Sequence, residues 1–470
     1  MKKTSILPIL LTACVMLTTS CLGDTEEVNL SGYDDAAIIA FSLGTLNQYT
    51  YTKDDDGEET LSKTTYNGAN YKFYIDQDKG EIYNPDSLPY GTDAAHVICI
   101  ATSKNSGYIT MRAIDSEDMV SYSSSDSIDF TSPRIFYVTS LNSERQRQYT
   151  VKVNVHQQES DKFYWNQRTT NAELSTMTDL RALVCGTKLF VFGAQQGEGA
   201  IYTSSLPEGT AWQRLNTNIG TQLPADLAHR VVTDGTSMYM LHDGGIWRSE
   251  DGISWNKTSD TNISTLLGAT ADALYAISSS GTLTRSDDEG QTWNEETLDQ
   301  SATLLPTQDA CMMTSTLSTN ANVQRLLLIG HRDAAVYSTD SWAQTWSQII
   351  DPDAAQPWMY YSLSDSKNKL PMLTNLQVIP YDSGLLAIGG TGQGASTAKA
   401  LSQIYYSPDC GVTWMSDERY EWPKSMSATE AAIATDSDHF VWLICSGSGQ
   451  IWRGRLTQLG WEKVQTAFTE

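Results

Sequence analysis

The chain of 470 residues predicts an all-β protein in two parts, a β-sandwich followed by a ring of repeated four-stranded sheets, a β-propeller. Three observations predict it. The first part alternates polar and apolar residues with period two and shows no sustained helical period. The second part repeats a strand, a turn and a tryptophan at intervals of about forty residues or more, and about forty is the length of a propeller blade. Aromatic usage also changes abruptly between the parts: all thirteen Trp lie at or beyond Trp165, while twelve of the twenty-three Tyr precede residue 150. The boundary falls near residue 158, at "HQQESDKF", which separates a sandwich over 35–157 from a propeller over 158–470.

The first twenty residues and Cys21 read as an address. "MKKTSILPILLTACVMLTTSC" has two lysines, an apolar run too short to span a bilayer, and small residues before a cysteine. The ending "LTTSC" resembles the lipobox of bacterial lipoproteins. That resemblance implies a signal peptide over 1–20 and lipidation of Cys21, which would anchor the body to a membrane. The acidic, polar stretch 21–34 then serves as a tether and resembles the surface-export signals of Bacteroidetes-type lipoproteins. The implied location is the outer membrane, facing the cell surface or, alternatively, the periplasm. Five cysteines remain in the body, Cys99, Cys185, Cys311, Cys410 and Cys445, an odd and scattered set that does not form a disulfide framework.

A net charge of −25 argues against nucleic acid, because phosphate binding needs clustered Lys and Arg. In the first domain "YTYTKDDDGEETLSKTTY" reads as two polar strands joined by an Asp-Gly turn. Its acidic run is no calcium loop: with Gly57 at the sixth position, Thr52 and Lys63 fall where carboxylates are required. "HVICIAT" and "YTVKVNVH" are further strands. With the "P-x-GTD" turn at Pro89, the "DFTSP" turn at Asp129 and the closing "YTVKV", the region resembles an Ig-like β-sandwich domain of Bacteroidetes lipoproteins.

From Leu180 onward the chain repeats. Third strand, turn and tryptophan read "AIYTSSLPEGTAW", "GIWRSEDGISW", "TLTRSDDEGQTW", "AVYSTDSWAQTW", "QIYYSPDCGVTW" and "QIWRGRLTQLGW", ending at Trp212, Trp255, Trp293, Trp346, Trp414 and Trp461. Six units predict six blades. "FYWNQRT" around Trp165 also resembles a fourth strand, so it closes the ring on the last blade, packs at the domain interface, or makes a seventh blade. The two widest gaps place insertions near 314–322 and 351–371.

"SDDEGQTW" and "SPDCGVTW" match the pattern S-x-D-x-G-x-T-W in full, and "SEDGISW" and "STDSWAQTW" match it nearly. This resembles the Asp-box, or BNR, repeat of sialidase-type propellers. Ser249, Asp251 and Trp255, then Ser286, Asp288, Gly290 and Trp293, then Ser338, Asp340 and Trp346, then Ser407, Asp409, Gly411 and Trp414 take the motif positions. The Asp carboxylate can accept backbone N–H bonds within the turn, Gly supplies positive φ, Ser caps another group, and Trp buries its ring between sheets. A carboxylate repeated on successive blades is architecture, since a catalytic pair occurs once per protein.

No catalytic residue, metal site or cofactor is predicted. A sialidase needs three arginines clamping a carboxylate, a Tyr–Glu nucleophile and an acid/base Asp. Arg248, Arg285 and Arg453 occupy like positions on third strands, the near match "PRIF" at Arg134 lies in the first domain, and nothing groups Arg181, Arg230, Arg325 and Arg332. The six histidines (96, 156, 229, 242, 331 and 439) lack metal-ligand spacing, and "GGTGQG" at 389–394 lacks the Lys-Ser/Thr of a phosphate loop. The candidate ligand-binding residues are Trp358, Tyr360 and Tyr361, clustered in the polar insertion 351–369. The expected function is a non-catalytic, membrane-anchored binding lipoprotein that presents propeller loops to a glycan or protein. A glycosidase and a structural lipoprotein holding envelope proteins are the alternatives.

Overall fold

The computed structural model describes residues 33–53, 59–114, 116–317, 320–351, 356–362 and 368–457. Cys21, the signal and tether, the Asp-Gly turn within 54–58, and Trp461 lie outside the described residues. The chain forms two compact units that divide between Ser160 and Asp161.

The first unit is all β. Ile38–Leu43, Val97–Ser103 and Ser127–Ile128 form one sheet, and six strands from Tyr74–Asp76 to Gln146–Lys152 form another. Alternation puts Phe41, Leu43, Val97 and Cys99 of the first sheet on the same core as Ile82, Phe136, Val138, Tyr149 and Val151 of the second. Thr45–Lys53 and Glu59–Asn67 pair as a polar hairpin. The two predicted turns are self-capped. Thr92 donates through N and Oγ1 to the Pro89 carbonyl at 3.2 and 2.6 Å. Asp129 Oδ1 accepts from Thr131 N and Oγ1 at 2.8 and 2.6 Å.

The second unit is a propeller of six four-stranded blades. Blade 1 is Thr178–Cys185, Lys188–Gln195, Glu198–Ser205 and Gln213–Arg214; blade 2 is Val231–Thr233, Met238–His242, Gly245–Ser249 and Asn256–Asp260. Blade 3 is Ile263–Ala269, Leu274–Ser278, Leu283–Ser286 and Asn294–Glu295; blade 4 is Gln308–Leu317, Asn320–His331, Gln344–Ile350 and Met359–Tyr360. Blade 5 is Gln377–Tyr381, Gly384–Ile388, Tyr405–Ser407 and Met415–Ser416. Blade 6 takes three strands from the end of the chain, Ala431–Thr435, Val441–Cys445 and Gln450–Leu456, and its fourth from the start of the unit, Phe163–Thr170. Trp165 pairs with Gly454 in that closure, so no seventh blade exists among the described residues.

The turn between third and fourth strands holds the ring together. In blade 3 Ser286 Oγ donates to Asp288 Oδ1 at 2.8 Å and accepts from Gly290 N at 2.8 Å. Asp288 in turn accepts from Thr292 N at 2.8 Å and Thr292 Oγ1 at 2.7 Å. Ser407, Asp409, Gly411 and Thr413 repeat this set in blade 5. Blade 2, one residue shorter, keeps it with Asp251 accepting from Ile253 N and Ser254 N. Gly290 has φ +89°, and an added Cβ there would meet Ile246 of blade 2 at 2.9 Å. Gly411 likewise faces Ile329 of blade 4 at 2.9 Å. Glycine is needed for both the turn and the approach to the preceding blade.

Each interface between neighbouring blades takes a tryptophan from the start of a fourth strand, buried or partly buried there. Trp212, Trp255, Trp293 and Trp414 donate their indole N–H to Gly209, Gly252, Gly290 and Gly411 carbonyls at 3.0 to 3.2 Å. Blades 4 and 6 correct the sequence pattern. Trp346 lies inside the third strand of blade 4, and Ser338 and Asp340 sit in the connection from second to third strand. Without the motif glycine nothing shapes the turn, and Asp340 is held instead by Arg332. The interface position in blade 4 belongs to Trp358, fully buried against Tyr275 of blade 3 and donating to Glu296 Oε2 at 3.1 Å. Trp358 therefore does not bind ligand. In blade 6 the position belongs to Trp165, which donates to the Glu421 carbonyl at 2.8 Å. Of the residues read as an insertion near 314–322, 314–317 and 320–322 belong to the long paired strands of blade 4, and 318–319 lie outside the described residues.

Two outcomes follow for stability. Trp358→Ala is expected to destabilise the chain by about 3–5 kcal/mol, read from the denaturant midpoint, as for other buried aromatic truncations. The hydroxyl and N–H of Thr292, with Ser286, lower the Asp288 pKa from its ordinary 3.8 to about 2. A depressed carboxylate stabilises above its unfolded pKa and loses that contribution as pH falls through the folded one. Asp288→Ala should thus lower Tm at neutral pH, and the gap to the parent should close between pH 3.8 and about 2.

Candidate ligand-binding cleft and channel mouth

Three connections gather on blades 4 and 5: residues 332–343, the described parts 361–362 and 368–376 of a second, and 389–404. Backbone bonds knit them together. Ala343 N donates to Leu370 O at 2.9 Å, Met372 N to Ser341 O at 2.9 Å, and Ala395 N to Asp340 O at 2.7 Å. The glycine loop 389–394 belongs to this lattice: Gly394, at φ +57°, closes directly on the Asp340 carbonyl.

A cleft of about 350 Å³ opens beside these loops, lined by residues 339–344, by Tyr360, Tyr361 and Ser362, and by Lys369. Two of the three aromatic residues expected to bind ligand reach it, and Trp358 does not. Tyr360 packs on Trp346 at a ring separation of 5.2 Å and donates from its hydroxyl to Gln344 Oε1 at 2.6 Å. Burial pushes its phenol pKa up, so the hydroxyl stays neutral. Tyr361 is half-buried. Trp342 is the residue the sequence pattern concealed, since it stood inside the apparent blade 4 turn. It is 43% exposed, with the Lys369 ammonium 5.8 Å from its ring. Beneath it Arg332 forks onto both oxygens of Asp340 at 2.8 Å, and its guanidinium lies 3.7 Å from the Tyr337 ring. This two-point pair neutralises Asp340 and fixes the loop that carries Trp342.

The centre of the ring is filled differently. First strands of all six blades line a cavity of about 120 Å³. Arg181 of blade 1 crosses it to donate to the Ala310 carbonyl at 3.1 Å and Cys311 Sγ at 2.9 Å, both in blade 4. At the mouth, His229 joins Asp179 Oδ1 at 2.8 Å through Nε2 and Asp309 Oδ1 at 3.2 Å through Nδ1. His331 joins Asp309 Oδ2 at 2.9 Å and the Arg332 carbonyl at 3.0 Å. Both nitrogens of each ring face acceptors, an arrangement that favours the imidazolium form. Burial pulls both histidine pKa values down, but hydrogen bonds and charge from Asp179 and Asp309 outweigh it and leave both raised. Arg230 and Arg332 sit apart on their own partners, Asp226 and Asp340. Among the described residues no His, Cys, Asp and Glu group has metal-binding form.

Residues 159–464 match the family described as "DUF6242 beta propeller domain", and residues 41–153 match "Domain of unknown function (DUF6242) N-terminal domain". No curated protein matches the chain. Among solved structures, YCF48 from Cyanidioschyzon merolae is similar at 13% identity, over 62% of this chain and 98% of that one, with a TM-score of 0.33. A Trichoderma reesei carbohydrate-active enzyme of family AA12 is similar at 9% identity, over 65% and 97%, with a TM-score of 0.36. The N-terminal domain of Nup159 is similar at 9% identity, over 63% and 96%, with a TM-score of 0.30. None of them bears on what this chain binds.

The channel mouth yields a pH signature. A raised histidine stabilises fully below its unfolded pKa of 6.5 and loses that contribution as pH rises through the folded value. Asp309→Asn should lower the NMR titration midpoints of His229 and His331. It should also cost more Tm at pH 6 than in the alkaline range.

Proposed function

The chain belongs to the family defined by the DUF6242 β-propeller and N-terminal domains, and we propose that it works as a membrane-anchored, non-catalytic binding protein whose propeller presents a ligand cleft. The observation that carries this reading is the cleft on blade 4. An exposed tryptophan and two tyrosines stand there on loops cross-braced by backbone hydrogen bonds, the pre-organised arrangement that keeps the entropic cost of binding low. The anchor in this reading is lipid on Cys21, supported by the "LTTSC" ending of the apolar leader.

Binding is favoured over hydrolysis by the state of the centre. Arg181 is already occupied by blade 4, and Asp179 and Asp309 are bonded to the rings of His229 and His331. A glycosidase would instead need two carboxyls free to act as acid and as nucleophile or base.

The expected result is that the full chain releases no sialic acid from sialosides. Measurable release that Asp309→Asn abolishes would reverse the reading. Expressed with its leader, the chain should fractionate with membranes, and Cys21→Ser should move it to the soluble fraction.

A further inference from the structure

We infer that the cleft takes an uncharged saccharide, a pyranose ring stacked on Trp342; this rests on the reading of the cleft as the ligand site. The lining decides the chemistry. One wide aromatic surface is exposed, and the hydroxyl-bearing residues Thr339, Ser341, Tyr361 and Ser362 line the cleft around it. An aromatic face with separate hydroxyl donors and acceptors around it matches a sugar, which has an apolar ring face and a polar edge. It does not match an apolar peptide anchor, which needs a dry pocket of aliphatic and aromatic walls.

Charge narrows the class further. Asp340 lines the cleft, but both its oxygens are engaged by Arg332, so it presents no open carboxylate to a cationic ligand. The Lys369 ammonium is held near the Trp342 ring. The surrounding protein carries a net charge of −25, which disfavours approach of an acidic polysaccharide. The volume of about 350 Å³ lies at the small end of the roughly 300–1,000 Å³ typical of small-molecule sites, which fits a short stretch of glycan.

The test is a glycan array probed with the full chain in detergent. It carries neutral glucans, mannans, galactans and xylans beside pectin, alginate and sialosides, and a peptide library is screened in parallel. Binding to a neutral glycan is expected. Trp342→Ala should weaken it about tenfold or more, as for an interface aromatic anchor, and Tyr361→Phe should weaken it less, with Tm unchanged in both. Preference for acidic glycans that still depends on Trp342 would overturn the neutral class and leave the cleft as the site. Glycan binding indifferent to Trp342→Ala would overturn the cleft itself. Binding to peptides alone, or to nothing on the array, would overturn the saccharide.

Discussion

Everything in the second unit depends on how one blade is fastened to the next. A blade is a sheet with two apolar faces, and it folds only when both are covered. Here each interface is closed by one tryptophan from the start of a fourth strand, set against the preceding blade. Trp255, Trp358 and Trp414 are buried and Trp165, Trp212 and Trp293 partly buried, each in a cluster shared between blades, as with Trp255 among Phe190, Phe192 and Met240. The Ser-Asp-Gly turn makes this possible by consuming its own polar groups, so that backbone can lie close to a neighbour without stranded N–H donors. Closure by Phe163–Thr170 then supplies the fourth strand that the end of the chain does not give blade 6.

The fold was legible where local chemistry and global position coincide. Blades 2, 3 and 5 carry Asp, Gly and Trp in one short run because all three act within one turn. Blades 4 and 6 separate those tasks. In blade 4 the interface tryptophan, Trp358, follows a connection with no motif, while "STDSWAQTW" imitates one with residues that do other work: Asp340 holds Arg332, and Trp346 fills a third strand. In blade 6 the fourth strand comes from residues nearly three hundred positions earlier, and only the likeness of "WNQR" to "WQRL" and "WNKT" hinted at it. A pattern local in sequence cannot show a pairing that is distant in sequence.

The same separation explains the cleft. Tyr360 and Tyr361 stood out as aromatic residues in a polar loop and do line it, yet their neighbour Trp358 is wholly buried in the cluster of Tyr275 and Trp346. Trp358 precedes the short strand Met359–Tyr360, and its backbone is bonded on both sides to Thr297 and Asp299, which seats the ring in the blade interface. Trp342 and Lys369, on two different connections, meet Gln344 at the start of a blade 4 strand only in the folded ring. The histidine and aspartate chain at the channel mouth is similar: Asp179, His229, Asp309 and His331 come from three places in the ring, with no spacing to announce them. The rigid parts of the ring thus bear repeated, readable motifs, and the singular chemistry sits on the connections where the repeat breaks.

The central claim is that six fastenings and one distant strand make the ring a single cooperative unit. Amide hydrogen exchange on the full chain tests it most directly, comparing the pairing of Phe163–Thr170 with Gln450–Leu456 against the central strands of blade 4. The account predicts that both sets exchange only through global unfolding, with equal free energies of opening. Early exchange confined to the Phe163–Thr170 pairing, with blade 4 still protected, would contradict it.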